Sequence, residues 1–269
     1  MKRHLVTGAA IGIAFTCGKC PADTFTPITQ NRRTEVIIVS DCDLQKIDED
    51  IAAGFDPFES NLFENHACPE IPIFVSAIAF QNSTIGATTF DASGSVSYGA
   101  QSSGSVLASG LSEFTLKFTI DRPSNFDLTG LVLGDGQVPG VETGMEFTDA
   151  NSQTLFSHVL TGPFPLGEPT EQAVDEHLVL ASGTYTLHAR ALAADAIDIA
   201  QPFFSGEAAF NLTAEVRVLG DVDGDEIVGV VDLLALLGSW GVCQECPADL
   251  DRNGAVNVSD LLLLLGNWG

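Results

Sequence analysis

Basic residues are scarce in this chain of 269 residues. It has 11 lysines and arginines against 36 aspartates and glutamates, for a formal net charge of -25. A nucleic-acid-binding protein needs a basic patch to neutralise phosphates, so no nucleic-acid partner is expected. The acidic surface is instead suited to solubility and to attracting divalent cations.

Long apolar runs are absent too. The apolar run at residues 5–15 follows two basic residues and is too short to span a bilayer. This pattern is typical of a secretory signal peptide, which we place at residues 1–22 with cleavage after Ala22. The alternatives are a lipoprotein signal that uses Cys17 and a buried N-terminal strand. The signal predicts a secreted protein, extracellular or associated with the cell surface, with no transmembrane segment.

Familiar catalytic signatures are also missing, including GxSxG, HExxH, the P-loop and GxGxxG. A glycosidase needs two carboxylates facing one cleft. Four acidic residues of the β-rich region are candidates for such a pair, namely Glu113, Glu142, Glu146 and Asp149. Their sequence spacing does not select a pair. Enzymatic activity therefore stays open, with a noncatalytic protein favoured and glycoside hydrolysis the class retained.

Helical periodicity is rare between residues 23 and 218, where short segments alternate polar and apolar residues. Period two with polar partners is typical of antiparallel sheets that bury one face. The apolar positions are clearest at Phe114, Leu116, Phe118, Ile120, Tyr185, Leu187, Ala189, Ala191, Ala208, Phe210, Leu212, Ala214, Val216 and Val218. The fold class is therefore mainly β, with an antiparallel β-sandwich of jelly-roll or immunoglobulin-like type over residues 23–218.

Two local predictions refine this domain. Residues 44–53 (LQKIDEDIAA) have the pattern of a short helix. Residues 176–189 (EHLVLASGTYTLHA) form a candidate β-hairpin that turns at residues 181–183. The 17 phenylalanines are predicted to fill the core.

Two of the six cysteines lie in the predicted signal peptide, which leaves four in an oxidising compartment. Four cysteines allow three connectivities. Proximity along the chain favours Cys42 with Cys68 and Cys243 with Cys246. The alternative for the second pair is half a zinc site, although no second CxxC or histidine pair lies nearby.

Two stretches at the C-terminal end repeat one another. Residues 220–241 (GDVDGDEIVGVVDLLALLGSWG) and 248–269 (ADLDRNGAVNVSDLLLLLGNWG) share 12 of 22 positions without gaps. An internal repeat indicates duplicated structure. In each copy a cluster of acidic residues precedes a leucine-rich helix.

Each copy carries oxygen-bearing side chains at positions 1, 3, 5 and 12 of a twelve-residue loop, which is EF-hand calcium spacing. Position 7 donates a backbone carbonyl, and position 9 often acts through water. The sequence therefore predicts two Ca²⁺ sites. The predicted ligands are Asp221, Asp223, Asp225, Ile227 and Asp232 in the first loop, and Asp249, Asp251, Asn253, Ala255, Asn257 and Asp260 in the second.

The loops depart from the EF-hand pattern at two positions. Position 12 is aspartate in both loops, where glutamate is usual. Position 6 favours glycine because the backbone turns there at positive φ. Gly254 meets this need in the second loop, but Glu226 occupies the position in the first. Because a non-glycine residue is strained there, we predict that the first calcium site is the weaker one.

The paired loop-helix repeats, with aspartate at position 12, resemble a type I dockerin. The WG at each helix end and the Cys243-x-x-Cys246-Pro247 segment are similar to short GC-type dockerins of planctomycete-like bacteria. The resemblance covers Gly220–Gly269, and the dockerin domain is placed at residues 219–269. It implies two calcium ions, one helix after each loop, near two-fold symmetry and noncovalent docking to a cohesin module. In the family, loop positions 10 and 11 help select the cohesin, and here they are Val230, Val231, Val258 and Ser259.

These observations predict a secreted protein in which a dockerin displays a noncatalytic structural or adhesive β-sandwich through a cohesin-type partner. The alternative is a component of polysaccharide degradation, with the sandwich acting as a carbohydrate-binding module or a small glycoside-active enzyme. Tryptophan and tyrosine usually build sugar platforms, and the chain has only two of each. Both tryptophans lie in the repeats, which weakens the carbohydrate-binding interpretation.

Overall fold

The structure is a computed structural model that describes residues 25–42, 44–69, 73–102, 104–136, 140–165, 168–197, 201–243 and 246–269. The predicted signal peptide at residues 1–22 lies outside these ranges. The elements are β1 (Phe25–Ser40), β2 (Leu44–Ile51), β3 (Phe58–Cys68), β4 (Ile73–Ile85), β5 (Thr89–Ser102), β6 (Val106–Ile120), β7 (Ser124–Gly136), β8 (Val141–Asp149), β9 (Thr154–Thr161), β10 (Thr170–Leu180), β11 (Gly183–Ile197), β12 (Gln201–Val218), α1 (Val230–Gly238), β13 (Gly241–Val242), β14 (Ala255–Val256) and α2 (Val258–Gly266).

The first twelve strands form two six-stranded sheets. The first sheet has the order β2-β1-β6-β11-β8-β9, and the second has the order β10-β7-β12-β5-β4-β3. All neighbouring strands run antiparallel. The mainly β prediction and the two-layer sandwich are confirmed. Among the residues that the structure describes, no helix is long and apolar enough to cross a membrane.

The sandwich core follows the alternation in the sequence. The apolar positions predicted on β6, β11 and β12 are all buried. Phenylalanine rings contribute much of the contact between the sheets. Phe126 on β7 stacks on Phe147 of β8 with ring centroids 4.5 Å apart, and Phe118 of β6 packs near both rings. Stacked rings bury large apolar areas and favour one relative position of the two layers.

The helix predicted at residues 44–53 is wrong, because this segment forms strand β2. It pairs antiparallel with β1, from Ser40 opposite Leu44 to Arg33 opposite Ile51. A ten-residue helix is marginal in water without tertiary packing. Pairing with β1 instead satisfies the backbone groups of the segment and covers one side of β1.

The hairpin predicted at residues 176–189 is also wrong. β10 pairs with β7 in the second sheet, whereas β11 pairs with β6 and β8 in the first. The turn after Leu180 therefore carries the chain from one sheet to the other. Alternation predicts which side chains face the core, and in a sandwich both sheets face the same core. The pattern does not specify which strand is the neighbour.

Both predicted disulfides are present, Cys42–Cys68 and Cys243–Cys246. Cys42 lies in the turn after β1, and Cys68 is the last residue of β3. Because these strands belong to different sheets, the first disulfide joins the two layers at one edge of the sandwich. The second lies between the repeats, beside β13.

A charged side chain is buried in the sandwich at a position that the alternation pattern does not indicate. Arg32 on β1 is fully buried, and its guanidinium donates to the carbonyls of Gly54 and Asp56, to Gln30 Oε1 at 3.0 Å and to Ser83 Oγ at 3.3 Å. Burial lowers the pKa of Arg32, and the carboxylate of Asp56 partly offsets that effect. These bonds tie the segment after β2 to the sandwich.

Residues 219–269 have a small apolar core of their own. Its fully buried members include Val228, Leu236, Val256 and Leu264, drawn from both repeats. The two-stranded sheet of β13 and β14 joins the end of the first repeat to the second loop. The duplicated helices thus pack together around a shared centre.

This C-terminal unit also contacts the sandwich. Arg122 donates to the carbonyl of Glu226 at 3.1 Å and to that of Gly269 at 3.0 Å. Arg252 forms an ion pair with Asp127 of β7 at 2.5 Å. The contacts reach both acidic loops, since Glu226 lies in the first and Arg252 in the second.

Candidate metal centre in the repeated acidic loops

The first acidic loop is organised by its position-1 carboxylate. Asp221 Oδ1 accepts the N–H groups of Gly224 at 2.8 Å and Asp225 at 3.1 Å. Asp221 Oδ2 accepts the N–H of Glu226 at 3.0 Å. The side chain of Asp225 in turn accepts from Ile227 N at 2.9 Å. The backbone therefore curls around a set of carboxylate oxygens.

The second loop repeats this arrangement. Asp249 Oδ1 accepts from Asn253 N at 3.1 Å, and Asp249 Oδ2 accepts from Gly254 N at 2.8 Å. Asn253 Oδ1 accepts from Ala255 N at 3.1 Å, which matches the role of Asp225 in the first loop. Equivalent residues thus make equivalent bonds 28 positions apart.

The position-12 carboxylates close each loop. Asp232 is almost fully buried and accepts from Val222 N at 2.7 Å, Asp223 N at 3.1 Å and Gly229 N at 2.7 Å. Each carboxylate holds the start of its loop against the first turn of the helix that follows. This closure needs no cation, so the role of position 12 is partly structural.

Asp260 makes the same three bonds in the second loop. It is fully buried and accepts from Leu250 N at 2.8 Å, Asp251 N at 3.2 Å and Asn257 N at 2.8 Å. Three N–H donors satisfy most of the hydrogen-bonding capacity of the carboxylate. Position 1 is engaged in the same way in the first loop, where Asp221 also accepts three N–H groups.

Six of the eleven predicted ligands come together in two groups of carboxylates, and Asp232 is not in the first group. Within each group one oxygen from every carboxylate lies within 4.8 Å of the others; the groups are Asp221, Asp223 and Asp225, and Asp249, Asp251 and Asp260. Asn257 behaves differently from its expected role, because it caps α2. Its Oδ1 accepts from Ser259 N, and its Nδ2 donates to the carbonyl of Ala255, which is the predicted position-7 ligand.

The sequence predicted backbone strain at position 6 of the first loop only, but the two loops have similar backbone conformations. Each has two residues at positive φ, at positions 4 and 6. These are Gly224 at 81° and Glu226 at 68° in the first loop, and Arg252 at 56° and Gly254 at 86° in the second. Each loop therefore carries one glycine and one strained non-glycine residue. The strain argument for a weaker first site applies equally to both sites.

The carboxylates of the first loop differ in their electrostatics. Loss of hydration raises the pKa of Asp223, and the charges of the surrounding carboxylates add to this rise, while the N–H of Asp225 opposes it. Burial also acts to raise the pKa of Asp232, but the N–H donors of Gly229, Asp223 and Val222 together bring it below its ordinary value. A cation would relieve the repulsion at Asp223.

The helices after the loops leave most of their apolar side chains exposed. Only Leu236 and Leu264 are fully buried, along with the position-12 aspartates. The exposed residues correspond between the repeats: Val230 and Val258, Leu234 and Leu262, Leu237 and Leu265, and Trp240 and Trp268. Trp240 and Trp268 are 48% and 44% exposed. The unit thus presents two related apolar faces.

The carboxylates considered for glycosidase chemistry are engaged elsewhere. Glu113 accepts from His188 at 3.2 Å and pairs with Arg33 at 3.3 Å. The hydrogen bond from His188 lowers the pKa of Glu113, although burial partly opposes the shift. Glu142 pairs with Arg190 at 3.2 Å. These groups form a charged network on the outer face of the first sheet.

A shallow groove of about 340 Å³ lies on the outer face of the second sheet. Its lining residues are Asn82, Ser83, Thr84, Asp91, Ala92, Ser93, Asn211, Leu212 and Thr213. Asp91 accepts hydrogen bonds from Thr213 at 2.8 Å and Thr84 at 3.4 Å. The groove offers polar groups and no aromatic ring among these lining residues.

No protein-family model matches the sequence, and no curated protein matches it. Among solved structures, infectious bursal disease virus strain Gx aligns at 8% identity and a TM-score of 0.27, over 73% of this chain and 58% of that one. The VP2 subviral particle of that virus aligns at 11% identity and a TM-score of 0.27, over 77% of this chain and 76% of that one. The enzymatically active domain of tailspike protein 4 of bacteriophage CBA120 aligns at 9% identity and a TM-score of 0.22, over 58% of this chain and 19% of that one. At these TM-scores the similarities carry no functional conclusion.

Proposed function

We propose that residues 219–269 are a calcium-dependent docking module of the dockerin type, and that the β-sandwich is the noncatalytic structural or adhesive domain that it displays. The observation that carries the proposal is the duplication. Each loop brings three carboxylates together, at positions 1, 3 and 5 in the first loop and at positions 1, 3 and 12 in the second. Each loop is followed by a helix with equivalent exposed apolar residues.

Calcium accounts for the chemistry of the loops. Ca²⁺ takes six to eight oxygen ligands from carboxylates, amides and backbone carbonyls, which are the groups that these loops supply. Without a cation, Asp221, Asp223 and Asp225 hold like charges within 4.8 Å of one another. The raised pKa of Asp223 reflects the cost of keeping that carboxylate charged in the loop.

A protein partner accounts for the helix faces. Leu234 and Leu262 are 63% and 64% exposed, and Trp240 and Trp268 extend the same faces. Exposed apolar groups that recur at equivalent positions mark an interaction surface. We propose a cohesin-type partner, with Val230, Val231, Val258 and Ser259 at the selecting positions, all of them exposed. Secretion is part of the same proposal, and it is supported by the signal-peptide pattern of residues 1–22.

The test of the calcium step uses the full chain and the variant Asp223→Asn. Removal of a crowded charge should stabilise the calcium-free unit and weaken calcium binding, so the two effects have opposite signs. Titration calorimetry measures the affinity, and urea unfolding in EDTA measures the stability. Glu226→Gln is the matched control, since it removes one charge from the same loop at a residue outside the predicted ligand set. Unchanged affinity in Asp223→Asn would refute a calcium site in the first loop.

The docking step is tested with an immobilised cohesin domain. Binding should require calcium and should fall in the double variant Leu234→Asp with Leu262→Asp. Lys117→Asp, on the sandwich, is the control and should bind like the parent chain. Binding that persists in EDTA, or in the double variant, would refute docking through these faces.

A second candidate function is glycan binding at the groove of the second sheet. Its favouring observation is the set of hydrogen-bonding side chains around Asp91. The test is a pull-down on insoluble polysaccharides with the parent chain and the double variant Asn82→Ala with Asn211→Ala. Binding by the parent chain that is lost in the double variant would support glycan binding at the groove. Binding equal to that of the parent chain would exclude the groove as the glycan site.

A further inference from the structure

A cluster of metal-ligating side chains lies at the far edge of the sandwich, away from the acidic loops. Cys42, His66 and Cys68 each bring one ligand atom within 4.8 Å of the other two. His66 Nε2 is 3.0 Å from Cys42 Sγ and 3.5 Å from Cys68 Sγ. The imidazole thus contacts both sulfurs of the disulfide.

The cluster is built by long-range contacts of the fold. His66 and Cys68 are two residues apart on β3, so both side chains point to the same inner face. Cys42 arrives from the turn after β1, in the other sheet. Ser40, at the end of β1, adds a hydroxyl 3.2 Å from Cys42 Sγ. Cys42 and His66 are partly buried and Cys68 is 9% exposed, so the site is shielded and still reachable by a small ion or reductant.

We propose that reduction of the Cys42–Cys68 disulfide turns this cluster into a binding site for a thiophilic divalent cation of the zinc class. The ligands are the thiolates of Cys42 and Cys68 and the neutral imidazole of His66. Three protein ligands leave the fourth tetrahedral position to water or to another small ligand, which is the composition of an open zinc site.

The geometry suits such an ion. With Zn–S near 2.3 Å and Zn–N near 2.0–2.1 Å, a tetrahedral site needs an N···S separation of about 3.6 Å and an S···S separation of about 3.8 Å. The N···S distance from His66 Nε2 to Cys68 Sγ, 3.5 Å, meets this requirement, and the distance to Cys42 Sγ, 3.0 Å, lengthens as the sulfurs separate. Once the S–S bond is broken, the sulfurs need to separate only to non-bonded contact.

The chemistry balances with a dithiol as reductant. The dithiol gives two electrons and two protons to the S–S bond and becomes a cyclic disulfide, while Cys42 and Cys68 become thiols. Binding of Zn²⁺ then forms two Zn–S bonds and one Zn–N bond and releases the two thiol protons to solvent. Metal binding at this edge is thereby conditional on the redox state.

The chain provides its own comparison. Cys243 and Cys246 form the other disulfide. No described histidine lies with that pair in a three-ligand cluster, since the clusters found are those at the sandwich edge and in the acidic loops. If any reduced cysteine pair bound the metal, both pairs would respond alike. The proposal instead assigns the stronger binding to the pair that has His66.

The experiment uses the full chain with serine substitutions at the other four cysteines: Cys17→Ser, Cys20→Ser, Cys243→Ser and Cys246→Ser. The protein is reduced with a dithiol, freed of it anaerobically and titrated with Co²⁺ in excess Ca²⁺, which occupies oxygen-ligand sites. Thiolate-to-cobalt charge transfer and tetrahedral d–d bands report the site. Competition by Zn²⁺ then gives the zinc affinity.

We expect these bands in the reduced protein, with one ion per chain, and no bands in the oxidised protein. His66→Gln should weaken zinc binding by at least about tenfold, because loss of even an outer-shell partner costs roughly 10- to 100-fold. His66→Cys should restore the site with a third thiolate. His177→Gln, at an exposed histidine paired with Asp127 and Asp175, is the matched control and should bind like the parent.

Absence of thiolate bands in the reduced parent chain would overturn the proposal. Equal zinc affinity in His66→Gln and the parent would do the same, because it would leave no role for the imidazole. Circular dichroism of oxidised His66→Gln checks that the variant folds. If it does not fold, Cys68→Ser replaces it, and thiolate bands of parental intensity in that variant would refute the three-ligand site.

Discussion

The position-12 carboxylates make a prediction about stability that is independent of calcium. Asp260 is fully buried and accepts three backbone N–H bonds, from Leu250, Asp251 and Asn257. In Asp260→Ala all three donors lose their acceptor. A buried donor left unsatisfied costs about 1–3 kcal/mol, and the two partly buried donors regain some hydration from water. We therefore expect the free energy of unfolding of the C-terminal unit to fall by about 3 kcal/mol.

Asp260→Asn gives a graded comparison. The asparagine keeps one oxygen, which can still accept from Leu250 and Asp251, but its amide group opposes the N–H of Asn257. One mismatched donor predicts a loss of about 1–3 kcal/mol, smaller than the loss in Asp260→Ala. The control is Asp251→Asn, at an exposed side chain that accepts one bond, from Asn253 N at 3.2 Å. Its effect in EDTA should stay within about 0.5 kcal/mol.

Tryptophan fluorescence is the natural assay. The two tryptophans of the chain, Trp240 and Trp268, both lie in the C-terminal unit, so their emission follows this unit and not the sandwich. Urea unfolding is measured in EDTA and again in calcium. If Asp260→Ala unfolds in EDTA within about 0.5 kcal/mol of the parent chain, the carboxylate is not a structural clamp and the reasoning fails.

Three further predictions concern acid stability, the sandwich and the link between the two parts. The folded pKa of Asp232 is depressed, so its stabilising contribution is present above the unfolded pKa of about 3.9 and is lost as pH falls through the folded value. Tryptophan fluorescence should therefore show unfolding of the C-terminal unit only below about pH 4. Unfolding that already begins near pH 6 would contradict this prediction. Arg32→Met should destabilise the sandwich by about 3–5 kcal/mol in calorimetry, since buried carbonyls lose a charged donor, and a loss below about 1 kcal/mol would argue against its anchoring role. Arg252→Ala and Asp127→Ala should each weaken the contact between the C-terminal unit and the sandwich. A double-mutant cycle on the free energy of unfolding should give a coupling of about 0.2–1 kcal/mol. Strictly additive changes in that free energy would show that the ion pair contributes nothing.

The sequence by itself determined the features that arise from local patterns. Period-two alternation on β6, β11 and β12 identified the buried faces, because side chains on a strand alternate between its two sides. The acidic repeats predicted two matching loops, each followed by a helix, because a carboxylate can organise the N–H groups of the next few residues whatever the rest of the fold does. Their cation and their partner remain predictions.

Tertiary structure alone decided which distant segments meet. Residues 44–53 became a strand because β1 offered a partner, and β10 and β11 separated into different sheets because both faced one core. Nothing local predicts that Arg252 meets Asp127, 125 residues earlier. The placement of His66 beside Cys42 is equally non-local. Such contacts follow from the total free energy of packing two sheets, to which each short segment adds only a small share.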